Sequence, residues 1–246
     1  MIDVHCHLLP ALDDGPRDIS DTVAMARQAA DDGIDVIVAT PHIRDDHDIV
    51  IGELETLVAV ANQALDQEGV PVRIAQGGEI AAERIQSLST EELRLVSLGV
   101  GGSWLLVEPR PGPIDDHLVE LVDRLHHRKF HVLVAHPERH AGADFLERVR
   151  RLVERGALMQ ATASHVADGP ASPTLLRMAE DGLIHAIASD SHSPTWRAPG
   201  LSKARALLTQ RLGSATARTL VEDNPASVLA DVPLQATVVA GQESAG

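Results

Sequence analysis

Short apolar runs alternate with longer amphipathic stretches along most of the chain. The runs are Ile2–His5, Val36–Ala39, Val72–Ala75, Trp104–Val107, Val132–Ala135, Ala157–Ala161 and His185–Ala188. Several are β-branched and nearly continuous, as parallel strands buried on both faces read. The stretches between them have helical periodicity. Thr22–Asp32 spaces Val23, Ala26, Ala29 and Ala30 along one face and stops at Gly33, a residue suited to a helix C-terminus. Glu53–Gln67 repeats Leu54, Leu57, Val58, Ala61 and Leu65, and Ile114–His127 presents Leu118, Leu121, Val122 and Leu125. Phe145–Glu154, Thr174–Glu180 and Leu201–Leu212 complete the set. Strand–helix repetition of this kind predicts an α/β fold with a parallel sheet. Seven units without a linker favour one closed or nearly closed barrel over two domains. Residues 1–232 are expected to form that domain, and the patternless segment 233–246 a flexible C-terminal tail.

In a barrel of this type the active site lies where strands end and loops begin, so the residues after each run matter most. The first run delivers His5 and His7, and the second is followed by Thr40-Pro41-His42. The third leads to Gly77-Gly78-Glu79, the fourth to Glu108, and the fifth to His136-Pro137-Glu138-Arg139. Ser164-His165 follows the sixth and Asp190-Ser191-His192 the seventh. Every strand end thus offers a side chain that can ligate a metal. Residues two apart on a strand share a face, so His5 and His7 project together while Cys6 points away. Asp190 and His192 repeat the spacing. Imidazoles with carboxylates suit zinc, iron or manganese. Asp13-Asp14-Gly15 lies at loop distance from the first run and adds another carboxylate. The set exceeds what one ion uses, which points to a cluster of two or three.

Composition narrows the choices. The formal net charge is −15, from 36 acidic and 21 basic residues, and aromatics make up 2% with no Tyr. Such a chain lacks the cations that neutralise phosphate backbones and the rings that stack on bases, so nucleic acid is not expected as a partner. No apolar run approaches the ~20 residues that span a bilayer. Met1 leads straight into Ile2-Asp3-Val4-His5 without a basic segment and apolar stretch of the secretory type, so a cytoplasmic location is expected. Cys6 is the single cysteine, which excludes an internal disulfide and a cysteine-rich zinc module. Thirteen histidines agree with a metal centre.

The ordered motifs carry a resemblance. Met1-Ile2-Asp3-Val4-His5-Cys6-His7, Asp13-Asp14-Gly15-Pro16, Ala39-Thr40-Pro41-His42, Gly78-Glu79, Val107-Glu108, Ala135-His136-Pro137-Glu138-Arg139 and Ala188-Ser189-Asp190-Ser191-His192 resemble the polymerase and histidinol phosphatase (PHP) superfamily. Within it they are most similar to the CpsB/YwqE-like branch of bacterial manganese-dependent protein tyrosine phosphatases of capsule and exopolysaccharide systems. The likeness runs from Met1 to about Asn224-Pro225. His-x-His is weak alone; Asp-Asp-Gly, His-Pro-Glu-Arg and Ser-Asp-x-His in order make the match specific. It implies a distorted seven-stranded (β/α)7 TIM-like barrel holding three divalent ions, commonly Mn2+, with Fe or Zn as alternatives. His5, His7, Glu79 and Asp190 would surround the first ion, Glu79, Glu108 and His136 the second, and Asp14, His42 and His192 the third. His165 matches a site-lining histidine not assigned to one ion. Arg139 and Arg197 match phosphate clamps, and His42 and His192 are histidines available to assist a leaving phenolate. The resemblance also implies a phosphotyrosine protein as substrate, with a bacterial tyrosine kinase as the expected partner, and leaves an oligomer open. Substrate contacts in Arg44–Ile49 are expected to be particular to this chain.

Competing readings exist. Another PHP phosphoesterase would act on a small phosphomonoester such as histidinol phosphate. An amidohydrolase barrel also begins with His-x-His, but commonly bridges its metals with a carboxylated lysine; the lysines here, Lys129 and Lys203, lie at no strand end. A metal-binding regulatory module without catalysis would not need a ligand at every strand end. A cysteine-dependent phosphatase fails because six residues beyond Cys6 stands Leu12, where its loop requires Arg. Asp13 reads as the turn-capping neighbour of Asp14. Cys6 reads as a small packing residue.

Overall fold

Nine strands form the frame in the computed structural model, which describes residues 1–99 and 102–234. They are β1 (Ile2–Cys6), β2 (Val36–Ala39), β3 (His42–Ile43), β4 (Arg73–Gln76), β5 (Glu79–Ala81), β6 (Trp104–Glu108), β7 (His131–Ala135), β8 (Leu158–Thr162) and β9 (Ala186–Ala188). All ladder pairings between them are parallel, in two sheets ordered β1-β2-β4 and β3-β5-β6-β7-β8-β9. The α/β class and parallel pairing agree with the periodicity. The expected count of seven strands in one sheet does not match the nine assigned.

The difference has a local cause. The seven apolar runs correspond to β1, β2, β4, β6, β7, β8 and β9, while β3 and β5 are short segments that resume after an interruption. Thr40-Pro41 separates β2 from β3, and proline cannot donate to a ladder. Gly77-Gly78 separates β4 from β5. A Cβ on Gly77 would stand 2.8 Å from both the Leu98 and Val38 side chains, and one on Gly78 would stand 2.9 Å from Ile43. Only the bare backbone fits there. Both interruptions fall where the chain delivers a candidate ligand, His42 or Glu79. At the other end of the order, β1 lies beside β9: Asp190 N–H donates to His5 O and His7 N–H to Ser191 O, each at 2.8 Å.

The core divides by strand face, as period-two burial requires. Val4, Val38, Trp104, Leu106, Leu133, Ala135, Leu158, Ala186 and Ala188 form one cluster with Leu98 and Val228. Their neighbours Ile37, Ala39, Leu105, Val107, Val132, Val134, Met159 and Ile187 join the helices in the other. Helix starts differ by a few residues from those the apolar spacing suggests, because caps set them. Asp18 accepts the N–H groups of Ser20 and Asp21, opening the first helix at Ile19 rather than Thr22. Asp115 accepts Leu118 N–H and starts the helix Asp116–His127. The short helices Thr90–Leu95, Ala163–Ala167, Ser214–Arg218 and Asn224–Leu229 carry too few periodic positions to stand out in sequence. Among the described residues no helix is long and apolar enough to cross a membrane. The expected tail 233–246 lies, from residue 235 onward, outside the described residues.

His185, left without a role by the motifs, has a structural one. Its Nδ1 accepts Met159 N–H at 3.1 Å, and burial lowers its pKa to about 4. An unfolded histidine titrates near 6.5, so the unfolded chain takes up a proton there that the folded chain refuses until about pH 4. Stability is therefore full above pH 6.5 and is lost as pH falls toward 4, by roughly 3–4 kcal/mol at ~1.4 kcal/mol per pKa unit. His185→Asn is expected to flatten this limb of a Tm-against-pH curve; an unchanged slope would place the acid sensitivity elsewhere.

Candidate metal centre

Strand ends and the loops just beyond them bring most of the candidate residues to one side of the frame. His5 and His7 come from β1 and the turn after it, His42 opens β3, Glu79 opens β5, and Glu108 closes β6. His136 follows β7, and Asp190 and His192 follow β9. Asp14 and Arg197 come from loops, and Arg139 from the short helix Pro137–His140. Glu79 is at the centre and fully buried. Its carboxylate lies 3.3 Å from His5 Nε2, 3.4 Å from His7 Nε2, 2.8 Å from His42 Nδ1 and 2.8 Å from His136 Nε2.

Four groups of side chains offer ligand atoms within 4.8 Å of one another: His5, His7 and Glu79; His5, His136 and Asp190; His42, Glu79 and Glu108; and His7, Asp14, His42 and His192. The grouping expected from the resemblance is redistributed. Asp14, His42 and His192 come together as expected, with His7 added. Asp190 groups with His5 and His136, and its Oδ1 also lies 3.7 Å from His7 Nε2. Glu108 joins Glu79 through His42, while His136 reaches Glu79 from the other side.

His165 stands apart. The chain passes from β8 directly into the helix Ala163–Ala167, which carries the ring onto Glu138 Oε1 at 3.2 Å, and His165 belongs to none of the four groups. Glu138 also accepts Thr162 N–H at 2.9 Å, so it fastens the end of β8 as well.

The imidazoles are aimed by partners behind them. His5 Nδ1 meets Gln160 Oε1 at 2.8 Å, and His7 Nδ1 meets Asp13 Oδ2 at 2.7 Å. With Nδ1–H donated to an acceptor, Nε2 faces the centre, the arrangement that orients metal-binding histidines. Asp13 also accepts His42 N–H at 2.9 Å and Gly15 N–H at 2.9 Å. Its part is larger than turn capping. Asp3 accepts Ser189 N–H at 2.9 Å and ties β1 to the segment leading to Asp190. Gln160 carried a signal the motifs missed: it is a fully buried amide inside an otherwise apolar run.

Backbone strain concentrates here too. His136, Asp190 and Arg197 have φ of 29°, 52° and 56°. Such conformations are disfavoured for side-chain-bearing residues and cost on the order of 1–3 kcal/mol each. Arg197 is held by His192 N–H, which donates to its carbonyl at 3.0 Å. Arg197 and Arg139 both pair with Asp190 Oδ2, whereas Oδ1 faces His5 at 3.4 Å and His7 at 3.7 Å. One carboxylate thus joins the imidazoles to the guanidiniums.

Electrostatics show a demand for positive charge. Burial would raise the Glu79 carboxyl pKa, but the charges and hydrogen bonds of the surrounding histidines hold it well below the usual range. Burial likewise opposes ionisation of Asp190, yet His5 and neighbouring cations keep it at about 2. Burial disfavours a charged His7, but its hydrogen bond to Asp13 and the adjacent Glu79 carboxylate raise it to about 10. His5 is raised as well, the charges of Glu79 and Asp190 overcoming burial. Glu108 is pushed up, by burial first and then by the Glu79 charge. Carboxylates therefore hold protons on buried imidazoles. His5 Nε2, His7 Nε2, His42 Nδ1 and Glu79 Oε2 are buried and, among the described residues, form no hydrogen bond of acceptable geometry. These unpartnered nitrogen and oxygen atoms converge, and a divalent cation that displaces the imidazole protons would satisfy them, so the residues present fit such ions.

The family profile described as capsular polysaccharide synthesis, CpsB/CapC, matches residues 1–230. The chain belongs to the CpsB/CapC family. The tyrosine-protein phosphatase YwqE of Bacillus subtilis is 32% identical over 235 residues, covering 91% of this chain and 89% of that protein. The tyrosine-protein phosphatase CpsB of Streptococcus pneumoniae is 25% identical over 255 residues, covering 94% and 99%. A crystal structure from work on these two proteins, described as unique metal-dependent tyrosine phosphatases, superposes with a TM-score of 0.83 at 28% identity and 96% coverage of each chain.

Cys6 sits within this CpsB/CapC centre but outside its chemistry. It is fully buried in the outer apolar cluster, and burial raises its thiol pKa well above normal. A thiol held protonated is a poor nucleophile. Cys6→Ala is expected to keep turnover within a few fold of wild type, with some loss of Tm. Stoichiometric inactivation by a thiol reagent, prevented by a substrate analogue, would show that the cysteine is the nucleophile.

Proposed function

We propose that this CpsB/CapC chain is a metal-dependent phosphomonoesterase that removes phosphate from tyrosine on proteins. The observation that carries the reading is the convergence of orphaned imidazole and carboxylate atoms around Glu79, with two arginines joined to it through Asp190. His5, His7, Asp14, His42, Glu79, Glu108, His136, Asp190 and His192 are the residues proposed to hold the ions. Three ions and Mn2+ are the proposed content, because the donor set is imidazole-rich and too large for one ion. Bound there, divalent cations supply Lewis acidity, making water acidic near neutral pH and neutralising charge on phosphoryl oxygens.

The chain's own residues do the rest. Arg139 and Arg197 offer parallel N–H donors to phosphoryl oxygens, contacts that a phosphate accepts bidentately. The same guanidiniums lie on Asp190 Oδ2, so they are already beside the centre and need only a short change of partner. Gln160 and Asp13 keep His5 and His7 in the tautomer that presents Nε2. His42 and His192 flank Asp14, with Nε2 at 3.6 and 3.2 Å from its Oδ1; either ring could assist the leaving group only through a nitrogen that holds no ion. A tyrosine leaves as a phenolate of pKa near 10, so it needs little protonation. His165 is proposed as a support of Glu138 instead of a ligand.

A distorted (β/α)7 barrel, with β2–β3 and β4–β5 each read as one interrupted strand, spans residues 1–232 as a single domain. The CpsB and CapC names of the relatives support a role in capsule or exopolysaccharide synthesis, with a bacterial tyrosine kinase as phosphoprotein partner in the cytoplasm. The test is Mn2+-supported hydrolysis of a phosphotyrosine peptide, a phosphoserine peptide and histidinol phosphate side by side. Preference for the phosphotyrosine peptide is expected; preference for histidinol phosphate would move the chain to the small-molecule phosphatases.

A further inference from the structure

A cavity of about 450 Å³ opens beside the centre, and Glu108, His136 and Arg139 form part of its lining. Its apolar lining comes from Ala81, Pro109 and Pro111. Pro109 is buried and Pro111 exposed, so the proline surface runs from the centre outward to solvent. Both belong to Pro109-Arg110-Pro111-Gly112-Pro113, which comes directly after Glu108 and which the metal motifs leave unexplained.

That segment is stiff and is anchored where it matters. Three prolines fix their own φ angles, and Gly112 takes the φ of 103° at which the chain turns. His140 Nδ1–H donates to Gly112 O at 3.0 Å, and Ile114 N–H donates to His140 O at 3.0 Å. His140 ends the short helix Pro137–His140, which carries Arg139. The proline surface and the guanidinium beside Asp190 are thus parts of one braced unit.

We propose that Pro109 and Pro111 are the wall of an aryl slot that receives the ring of the phosphotyrosine. The inference rests on the phosphotyrosine reading and names the residues that give it specificity. A phosphotyrosine carries its phosphate one ring further from the main chain than phosphoserine does. With the phosphate held by Arg139, the ring lies along the cavity against the pyrrolidine faces, and the peptide main chain stays among its charged lining residues Arg44, Asp45, Asp46, Glu83 and Arg84. A flat apolar ring gains from desolvation on such a wall, whereas an alkyl phosphate has no ring to bury there. Because the wall is preformed, little conformational entropy is lost when the ring enters.

The test separates the ring from the intrinsic reactivity of the leaving group by using inhibitors that are not hydrolysed. Inhibition constants of phenylphosphonate and methylphosphonate are measured against one common substrate, for wild type, Pro111→Ala, Pro111→Asp and Pro111→Leu, with Tm recorded for each. Wild type is expected to bind phenylphosphonate more tightly. Pro111→Ala should weaken phenylphosphonate about tenfold, or ~1.4 kcal/mol, with methylphosphonate unchanged. Pro111→Asp should weaken it further, and Pro111→Leu, which restores apolar bulk, should recover most of the loss. Equal loss for both phosphonates would reduce the loop to a scaffold, and a ratio that none of the variants moves would remove Pro111 from the ring's path. Failure of the underlying reading is a different result: a wild-type chain that does not hydrolyse the phosphotyrosine peptide.

Discussion

Glu79→Gln is expected to lower kcat/KM for a phosphotyrosine peptide at least a thousandfold, equivalent to about 4 kcal/mol of transition-state stabilisation, and to reduce the metal content of the purified protein. Glu79 is fully buried and within 3.4 Å of four imidazoles, so no other side chain touches so much of the centre. The amide keeps the shape but removes the charge and turns one acceptor into a donor facing rings that need an acceptor. His5 and His7 then lose the carboxylate that raises their pKa values, and two of the four ligand groups lose a member. The fold should survive, because the variant adds no bulk. Wild-type turnover in Glu79→Gln, with metal content unchanged, would show that the centre is organised around another residue.

The second large effect belongs to the arginines. Arg139→Ala combined with Arg197→Ala should reduce kcat/KM by roughly a hundredfold to ten-thousandfold, about 3–5 kcal/mol. Arg139→Ala alone should cost on the order of tenfold to a thousandfold. Both guanidiniums stand on the same Asp190 oxygen, so one can partly cover the loss of the other, and the double variant should exceed the larger single effect. If the fork tightens on the transferring phosphoryl group, kcat falls with kcat/KM; if it grips substrate and transition state alike, only KM rises. Lysine at either position should recover only part, since a point charge cannot reproduce two parallel donors. A structural role in neutralising Asp190 would instead lower Tm and leave kcat/KM near wild type.

Much of the centre is legible in sequence because metal ligation uses few residue types and strand ends fix their order. His5, His7, Glu79, His136, Asp190 and His192 all stand at or just beyond the end of an apolar run, and the structure brings them together. Which ligand shares which neighbour is set by the backbone instead. The φ values at His136 and Asp190 reorient those residues relative to their strands, and no spacing rule predicts them. His165 also comes after an apolar run, but a helix begins at Ala163 and carries the ring to Glu138. Asp13 and Gln160 were undervalued because supporting residues have no motif. Each is an ordinary polar side chain in sequence, and only its hydrogen bond to His7 or His5 in the fold gives it a role.

The fold was legible to the same depth. Seven runs implied the parallel α/β arrangement, because continuous apolar segments between amphipathic stretches permit little else. The interruptions at Pro41 and at Gly77-Gly78 were visible as residues, but not as breaks that each start a further strand. Two- and three-residue strands such as β3 and β5 are too short to show a period.

Hydrolysis should depend on divalent ions held by this chain's histidines and carboxylates. The most direct measurement is the initial rate on a phosphotyrosine peptide for protein stripped with a chelator, then dialysed and titrated with Mn2+. The stripped protein is expected to show no turnover and to recover on addition of Mn2+, with Mg2+ a poorer substitute because the donors are rich in imidazole. Full activity in protein shown to be free of metal would contradict this dependence.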